Sequence, residues 1–176
     1  MDTQNTKKTL VWILFWIYCL FLIYTILFKL AFSFDDIALM FQYFTPTFDR
    51  LNLIPFYYDR EIGTAFHISE ILENILIFMP FGVLLKVQNI SNKKIILFGF
   101  LFSFLLELSQ LLFRMGNADI TDLITNTSWE LLGIGIYILF TKISKTKENA
   151  DKILTILAVI WIVILLLFIL LLKIYN

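Results

Sequence analysis

Five runs of apolar residues, each close to the length that crosses a membrane, organise the sequence. The hydrocarbon core of a bilayer is about 30 Å thick, so a helix that rises about 1.5 Å per residue needs roughly 20 apolar residues to span it. We therefore predict an all-α, polytopic membrane protein, a bundle of five transmembrane helices forming a single domain over residues 1–176. The predicted spans are Leu10–Phe28, Ile68–Leu85, Ile95–Phe113, Leu123–Phe140 and Ile153–Leu172.

The second and fifth predicted spans differ most in polarity. The second contains Glu70, Glu73, Asn74 and Pro80, so it is the weakest of the five predicted spans. Its Pro80-Phe81-Gly82 sequence predicts a kink or a local opening, because proline lacks the N–H that a helix interior requires. The fifth span contains no ionisable residue, so it faces lipid or forms an oligomer surface.

The basic residues are divided unevenly between the two sides of the membrane, and this predicts the orientation. Cytoplasmic loops carry an excess of Lys and Arg. The N-terminal side has the larger set, so we place the N-terminus in the cytoplasm and the C-terminus outside the cell. The larger set is Lys7, Lys8, Lys86, Lys93, Lys94, Lys142, Lys145, Lys147 and Lys152, and the smaller set is Lys29, Arg50, Arg60, Arg114 and Lys173.

The segment from about residue 30 to 67 is the only long connection, and it lies on the extracytoplasmic side in this topology. It is rich in Phe and Tyr, which favour the headgroup region of a membrane. Within it, Asp36–Phe44 is predicted to form a short amphipathic helix. We expect the loop to lie on the membrane or to cap the bundle, and a simple surface connector is the alternative.

Composition agrees with a membrane protein and excludes several classes of function. The chain is 60% hydrophobic and 16% charged, whereas soluble domains are nearer 45–50% and 25%. Fourteen basic and fourteen acidic residues cancel, so nothing favours a nucleic-acid partner. With Cys19 and His67 each the single residue of its type, an intramolecular disulfide and a thiolate or multi-histidine metal cage are excluded. We expect no cofactor and assign no metal site.

Polar residues recur at helical spacing inside three of the predicted spans. Burying a carboxylate in the bilayer costs about 2.5–3.5 kcal/mol on insertion scales, so such residues usually have a function. Those on the third and fourth spans follow the i, i+3, i+7 pattern of one helix face. These residues are Glu107, Gln110 and Arg114 on the third span, Asp119, Asp122, Asn126 and Glu130 on the fourth, and His67, Glu70, Glu73 and Asn74 at the entry of the second.

The depths of these residues predict a pocket that opens to the outside. Glu107 lies about 10 Å inward of Arg114 along its helix, and Glu130 lies about 12 Å inward of Asp122. We therefore expect Glu73, Glu107 and Glu130 to share a similar depth in the outer half of the membrane. The cytoplasmic half is nearly apolar, which favours an outward-facing pocket over a channel across the membrane.

Structural roles are the alternative for each of these residues. Polar side chains between transmembrane helices often serve as hydrogen-bonding contacts worth about 1 kcal/mol or less. Arg114 could snorkel to the interface, and Asp119 or Asp122 could cap the fourth helix. Two chemical roles also remain open. Buried carboxylates could perform general acid–base catalysis, with Glu107 and Asp122 as the candidates, or Glu107, Asp119, Asp122 and Asn126 could hold a hard cation.

The polar stretches resemble the motifs of the VanZ-like family. The resemblance covers essentially the whole chain, including Phe28-Lys29-Leu30 and the five-span layout. The four ordered motifs are Asn52-Leu53-Ile54-Pro55-Phe56, the run from Glu73-Asn74 through Pro80-Phe81-Gly82 to Leu85, Glu107-Leu108-Ser109-Gln110, and the run from Asp119-Ile120-Thr121-Asp122 to Asn126-Thr127. This resemblance implies a multi-pass protein of the bacterial cytoplasmic membrane with a role in low-level teicoplanin resistance, and it implies no settled enzymatic activity.

Three hypotheses for the mechanism follow from the residues. The first is an outer-leaflet pocket that binds a lipidated glycopeptide or a lipid-linked cell-envelope precursor. The second is an enzyme that modifies such a lipid or precursor, and the third is a structural partner in an envelope complex. Membrane lipids are expected partners in each case, and an oligomer is possible. The predicted ligand-binding residues are Glu73, Asn74, Glu107, Gln110, Arg114, Asp119, Asp122 and Asn126.

Overall fold

Five long helices and one very short pair of strands make up the part of the chain that the structure describes. The structure is a computed structural model, and it describes residues 3–27, 38, 50–57, 64–113 and 117–175. Most of the predicted amphipathic helix Asp36–Phe44 therefore lies outside the described residues. The elements are α1 (Thr3–Leu27), β1 (Leu51–Asn52), α2 (Thr64–Val87), α3 (Asn92–Phe113), β2 (Ala118–Asp119), α4 (Ile120–Ile143) and α5 (Lys147–Tyr175).

The helical membrane architecture is confirmed, with four helices that are long and apolar enough to cross a bilayer. These segments are Lys8–Leu27, Asn92–Phe113, Ile120–Ile143 and Lys147–Phe168. In α2 the apolar stretch is shorter, Asn74–Val87. Large aliphatic and aromatic side chains cover the outside of the bundle, Leu20, Leu105 and Leu139 among them, as expected of helices that face lipid.

Helix α2 is the central element of the bundle, since it packs against α1, α3, α4 and α5. Every residue from Pro80 to Leu85 is buried. A helix that is surrounded by protein does not need a continuous lipid-facing surface, so the short apolar stretch of α2 suits a place at the centre of the bundle. The core around it includes Phe15 of α1, Ile95 of α3 and Ile134 of α4.

Two glycines let α2 and α4 touch backbone to backbone. A Cβ placed on Gly82 would lie 2.3 Å from the carbonyl oxygen of Glu130, and one on Gly133 would lie 2.2 Å from the carbonyl oxygen of Met79. Any larger residue at either position would push the helices apart. Gly135, two residues after Gly133, has nothing within 4 Å of its Cβ position and plays no part in this close approach.

Neighbouring helices supply the hydrogen bonds that Pro80 removes from α2. A helical residue at position 80 would normally donate its N–H to the carbonyl of residue 76, and proline cannot. The indole Nε1 of Trp161 on α5 donates to that Leu76 oxygen at 2.8 Å. The hydroxyl of Tyr18 on α1 donates to the adjacent Ile77 oxygen. The assigned helix runs unbroken through Pro80, because side chains from both flanks satisfy the exposed carbonyls.

A two-residue parallel pairing joins the segment before α2 to the segment before α4. Leu51 pairs with Ala118, and Asn52 pairs with Asp119. These strands could not be predicted from the sequence, since two residues are too few to show an alternating pattern. The pairing holds residues 51–57 against the start of α4.

Candidate functional site

Asp119 is the centre of a polar network at the end of the bundle where α3 ends and α4 begins. Its carboxylate accepts a hydrogen bond from the Thr121 N–H (2.7 Å) and another from the side-chain amide of Asn52 (2.9 Å). Its own main-chain N–H donates to Glu107 Oε2 at 2.9 Å. Asp119 is thus the N-cap of α4, as one alternative predicted, and it also links β1, α3 and α4.

The turn at residues 53–57, which follows β1, packs over this network. The Phe56 N–H donates to Thr121 Oγ1 at 2.9 Å, and the Ile54 N–H donates to Asn52 Oδ1 at 3.1 Å. Phe56 has a φ of 56°, a left-handed conformation that is uncommon for any residue other than glycine. Such backbone strain costs of order 1–3 kcal/mol and is concentrated at functional sites. The family-like motif Asn52–Phe56 therefore adopts a constrained turn over the start of α4.

Asn74 extends the network to the central helix. Its side-chain amide donates to Asp122 Oδ1 at 2.9 Å, which joins α2 to the first turn of α4. We call the connected set the polar junction and keep that name below. The polar junction consists of Asn52, Asn74, Glu107, Asp119, Thr121 and Asp122.

Polar contacts continue inward from the polar junction between α3 and α4. Asn126, one turn after Asp122, donates its amide to Ser103 Oγ at 3.0 Å, and both side chains are buried. One turn further, the carboxyl group of Glu130 lies against Gly99, where a Cβ would come within 2.0 Å of Glu130 Oε2. Moving four residues forward along α4, from Asn126 to Glu130, therefore moves the contact four residues back along α3, from Ser103 to Gly99.

This register corrects the expected depth of Glu130. We predicted that Glu107 and Glu130 share a depth, but Glu107 contacts the start of α4 whereas Glu130 lies beside Gly99. Positions 99 and 107 are eight residues apart on α3, which is about 12 Å. The prediction is wrong because it located each carboxylate relative to the end of its own helix, while the depth is set by how the two antiparallel helices face each other.

Glu130 is also the least accommodated polar group in the described part of the chain. Its side chain is 0% exposed, and neither carboxyl oxygen has a hydrogen-bond partner among the described residues. Asn126 Oδ1, one turn away, is likewise buried and unpaired there. Burying a polar group without a partner is costly, and an ionised carboxylate costs the most. A ligand bound at the surface of the protein could not contact Glu130, because the side chain is fully buried.

The structure brings together four of the eight predicted ligand-binding residues and places two others, Gln110 and Asn126, apart from them. Asn74, Glu107, Asp119 and Asp122 belong to the polar junction. Asn126 lies one turn deeper. Gln110 instead donates to the Ile26 oxygen at 3.1 Å and so satisfies the end of α1. Two residues, Arg114 and the side chain of Glu73, lie outside what the structure describes.

Metal binding and acid–base catalysis are the two chemical roles that the geometry of the polar junction bears on. Among the described residues, no group of three or more His, Cys, Asp or Glu side chains could hold a metal ion. Glu107 and Asp122, the candidate catalytic carboxylates, accept hydrogen bonds from different partners, the Asp119 N–H and the Asn74 amide. Their visible role is to hold α3, α4 and α2 in register.

Sequence reasoning missed three contributors to this site. Asn52 and Thr121 lie within the family-like motifs, yet neither was assigned a role. Ser103 was missed because a lone serine in an apolar span is ordinary. Asn52 and Asp119 are 67 residues apart, and no periodic pattern connects such distant positions. The recurrence of Asn and Thr beside acidic residues was the only available signal.

The surface over the polar junction combines polar and apolar groups. Asn52, Asn74, Asp119 and Asp122 remain partly exposed. Beside them the turn exposes large apolar side chains, with Leu53 65% and Tyr57 57% exposed. Ile54 and Phe56 are exposed as well. An amphiphilic molecule could place its polar part at the amides and carboxylates and its apolar part against the turn.

Comparisons with known proteins agree with the motifs that form this site. The model of the VanZ/LLP1 family matches residues 15–141, a range that contains the polar junction and the turn. Protein VanZ of Enterococcus faecium is 35% identical over 160 residues, covering 86% of this chain and 88% of that protein. No solved structure matches the chain. On these matches, the chain belongs to the VanZ/LLP1 family.

Proposed function

We propose that this protein contributes to glycopeptide resistance, teicoplanin resistance in particular, by binding a lipid-anchored ligand at the outer surface of the bacterial cytoplasmic membrane. The observation that carries the proposal is the partly exposed polar junction directly beside the exposed apolar turn at residues 53–57. Membership of the VanZ/LLP1 family and the similarity to Protein VanZ support the resistance role.

The proposal includes five membrane crossings: the four apolar helices identified above and, in addition, α2. Its 24 residues correspond to about 36 Å, which is long enough to span the hydrocarbon core. All of the described lysines except Lys173 lie toward the end of the bundle opposite the polar junction, near the start of α1 and in or beside the α2–α3 and α4–α5 connections. Because cytoplasmic loops carry an excess of positive charge, this distribution supports the proposal that the polar junction faces outside.

A ligand with a polar head and an acyl chain fits this surface best. The chain would lie along Leu53 and Tyr57, where burial of apolar area contributes about 25 cal/mol per Å². Amide donors and carboxylate acceptors of the polar junction would meet the head. Teicoplanin carries an acyl chain and a lipid-linked envelope precursor carries a polyprenyl tail, so both have the required shape.

Antibiotic susceptibility in a Gram-positive host tests the proposal. The wild-type chain, Asp122→Asn and Tyr57→Ser would be compared at matched membrane levels, with Glu148→Gln as a control that makes the same carboxylate-to-amide change at the opposite end of the bundle. We expect the wild type and the control to raise the teicoplanin concentration that inhibits growth, without raising that of vancomycin. Both site variants should lose this protection. If the wild type gives no protection, or all four chains protect equally, the proposal is wrong.

A further inference from the structure

A groove of about 330 Å³ lies between α1 and α3, near the end of the bundle opposite the polar junction. Its lining is apolar except for one lysine. The lining residues are Trp12, Trp16, Leu85, Ile90, Lys94 and Phe98. The volume is at the lower end of the 300–1,000 Å³ typical of small-molecule sites. The groove opens toward lipid, since Trp16 is 54% exposed and Phe98 is 37% exposed.

The walls of the groove are rigid aromatic surfaces. Trp12 and Trp16 stack with ring centroids 6.5 Å apart, and Phe98 stacks on the buried Phe81 at 5.7 Å. Leu85, which is almost fully buried, contributes to the groove from α2. A preformed apolar surface of this kind costs little to order when a flexible chain binds, so it suits a stretch of acyl chain.

Positive charge is concentrated at one end of this groove. Lys94 lines it directly, and Lys8 lies one turn before Trp12 on the same face of α1. The side-chain amide of Gln88 donates to the Lys8 carbonyl at 2.8 Å, which fixes the start of α1 beside the α2–α3 connection. Lys8 and Lys94 therefore lie at the same end of the bundle.

Lys8 and Lys94 have no side-chain hydrogen-bond partner among the described residues, and neither has Lys93, whereas two other lysines at this end of the bundle do. Lys86 donates to Asn92 Oδ1 at 2.9 Å, and Lys147 donates to Asn89 Oδ1. Lys94 also lies in the first turn of α3, where the helix dipole favours negative rather than positive charge. An anion at this position would be attracted by the lysine and by the dipole together.

We propose that the groove binds an anionic glycerophospholipid of the cytoplasmic leaflet, with its acyl chain between the tryptophans and Phe98 and its phosphate at Lys94 and Lys8. The apolar lining accounts for the chain, and the two lysines account for the choice of an anionic headgroup. The site is independent of the proposed outer ligand, because it lies at the opposite end of the bundle.

Quenching of tryptophan fluorescence by brominated lipid tests this site. The full-length protein would be placed in phosphatidylcholine nanodiscs that contain a small, equal fraction of brominated phosphatidylglycerol or brominated phosphatidylcholine. We expect the anionic lipid to quench more strongly. Lys94→Gln should reduce that preference by about fivefold, the effect of the ~1 kcal/mol that one basic residue contributes near an anionic membrane surface. Lys93→Gln, the same change one residue earlier and outside the lining, is the matched control and should leave the preference intact.

Three outcomes would overturn the inference. The first is equal quenching by the two brominated lipids. The second is an equal loss in Lys93→Gln and Lys94→Gln, which would indicate general attraction to the membrane surface. The third is a stable dimer, detected by mass photometry, in which Trp16 is shielded from both lipids, because a second copy of the chain would then occupy the groove. Native mass spectrometry of the wild type would show retained phosphatidylglycerol if the inference holds.

Discussion

At the scale of single residues, Phe56 is the clearest case in which the residue type does not suit the backbone conformation, because a bulky residue occupies a left-handed position. Glycine adopts φ of 56° without steric cost, whereas phenylalanine does not. The strain persists because the Phe56 N–H is held by Thr121 and the turn is fixed at Asn52. In the proposed function, the ligand would contact this strained and exposed ring.

We therefore expect Phe56→Gly to separate stability from function. Removing the strain should leave the free energy of unfolding of the purified protein unchanged or raise it by up to about 1 kcal/mol. Protection against teicoplanin should fall. Phe56→Ala keeps the strain and loses the ring, so it should lose both stability and protection. Thermal unfolding in detergent and antibiotic susceptibility measure the two effects. Full protection by Phe56→Gly would show that the ring has no part in the function.

Gly99 and Glu130 form a second pair that a double-mutant cycle can test. A Cβ on Gly99 would clash with the Glu130 carboxyl group, which is the end of a side chain and can shift in part, so Gly99→Ala should cost about 1 kcal/mol, the lower end of the range for overpacking. In a Glu130→Ala background the clash is absent and the cost should nearly vanish. Gly135→Ala, with open space at its Cβ position, is the control and should not destabilise. An equal cost of Gly99→Ala in both backgrounds would contradict the α3–α4 register described above.

At the scale of helices, α2 depends on its neighbours at the proline. Loss of the Trp161 hydrogen bond should lower the free energy of unfolding more when residue 80 is proline, because the Leu76 carbonyl then has no donor from its own helix. We expect Trp161→Phe to destabilise the protein by about 0.6 kcal/mol and by no more than about 1.7 kcal/mol, the mean and the maximum measured for interhelical hydrogen bonds in a membrane protein. In Pro80→Ala, where residue 80 can again donate to Leu76, the same substitution should cost less. Denaturant unfolding of the four chains gives the comparison, and an unchanged cost would show that the indole acts by packing alone.

The sequence predicted helices more completely than it predicted their contacts. The run Ile95–Phe113 became α3, and Leu123–Phe140 became α4 with a few residues added at each end. Apolar length determines these elements, because a backbone in lipid must satisfy its own hydrogen bonds. The pairing of Asn52 with Asp119 had no such signal. No sequence pattern indicated that Glu130 lies beside Gly99 either, since the register between two helices depends on side-chain packing.

At the scale of the whole molecule, the orientation of the bundle decides which surface meets an antibiotic. In the proposed topology the apolar turn and Asn117 lie outside the cell, whereas Ser91, between α2 and α3, lies inside. In a Cys19→Ser background, Leu53→Cys and Asn117→Cys should react with a membrane-impermeant maleimide on intact cells. Ser91→Cys should react only after the cells are permeabilised. Equal labelling of Leu53→Cys and Ser91→Cys on intact cells would mean that α2 does not cross the membrane.

The molecule as a whole has two distinct ends joined by a tightly packed centre. At one end, partly exposed amides and carboxylates lie beside an apolar turn, and at the other, lysines flank an aromatic groove. Between them, buried glycines and the enclosed Glu130 side chain leave no visible passage through the described residues. This arrangement favours binding at the surfaces over transport across the membrane.

Direct binding of teicoplanin is the measurement that tests the central claim most closely. Purified protein in nanodiscs would be titrated with teicoplanin and with teicoplanin lacking its acyl chain, and empty nanodiscs would correct for partition into lipid. We predict saturable binding of the acylated antibiotic, weakened about tenfold, or ~1.4 kcal/mol, when Leu53 and Tyr57 are both changed to Gln. The form without the chain should bind weakly to every protein. Binding that never exceeds that of empty nanodiscs, or that ignores the two substitutions, would contradict a ligand site at the polar junction and its turn.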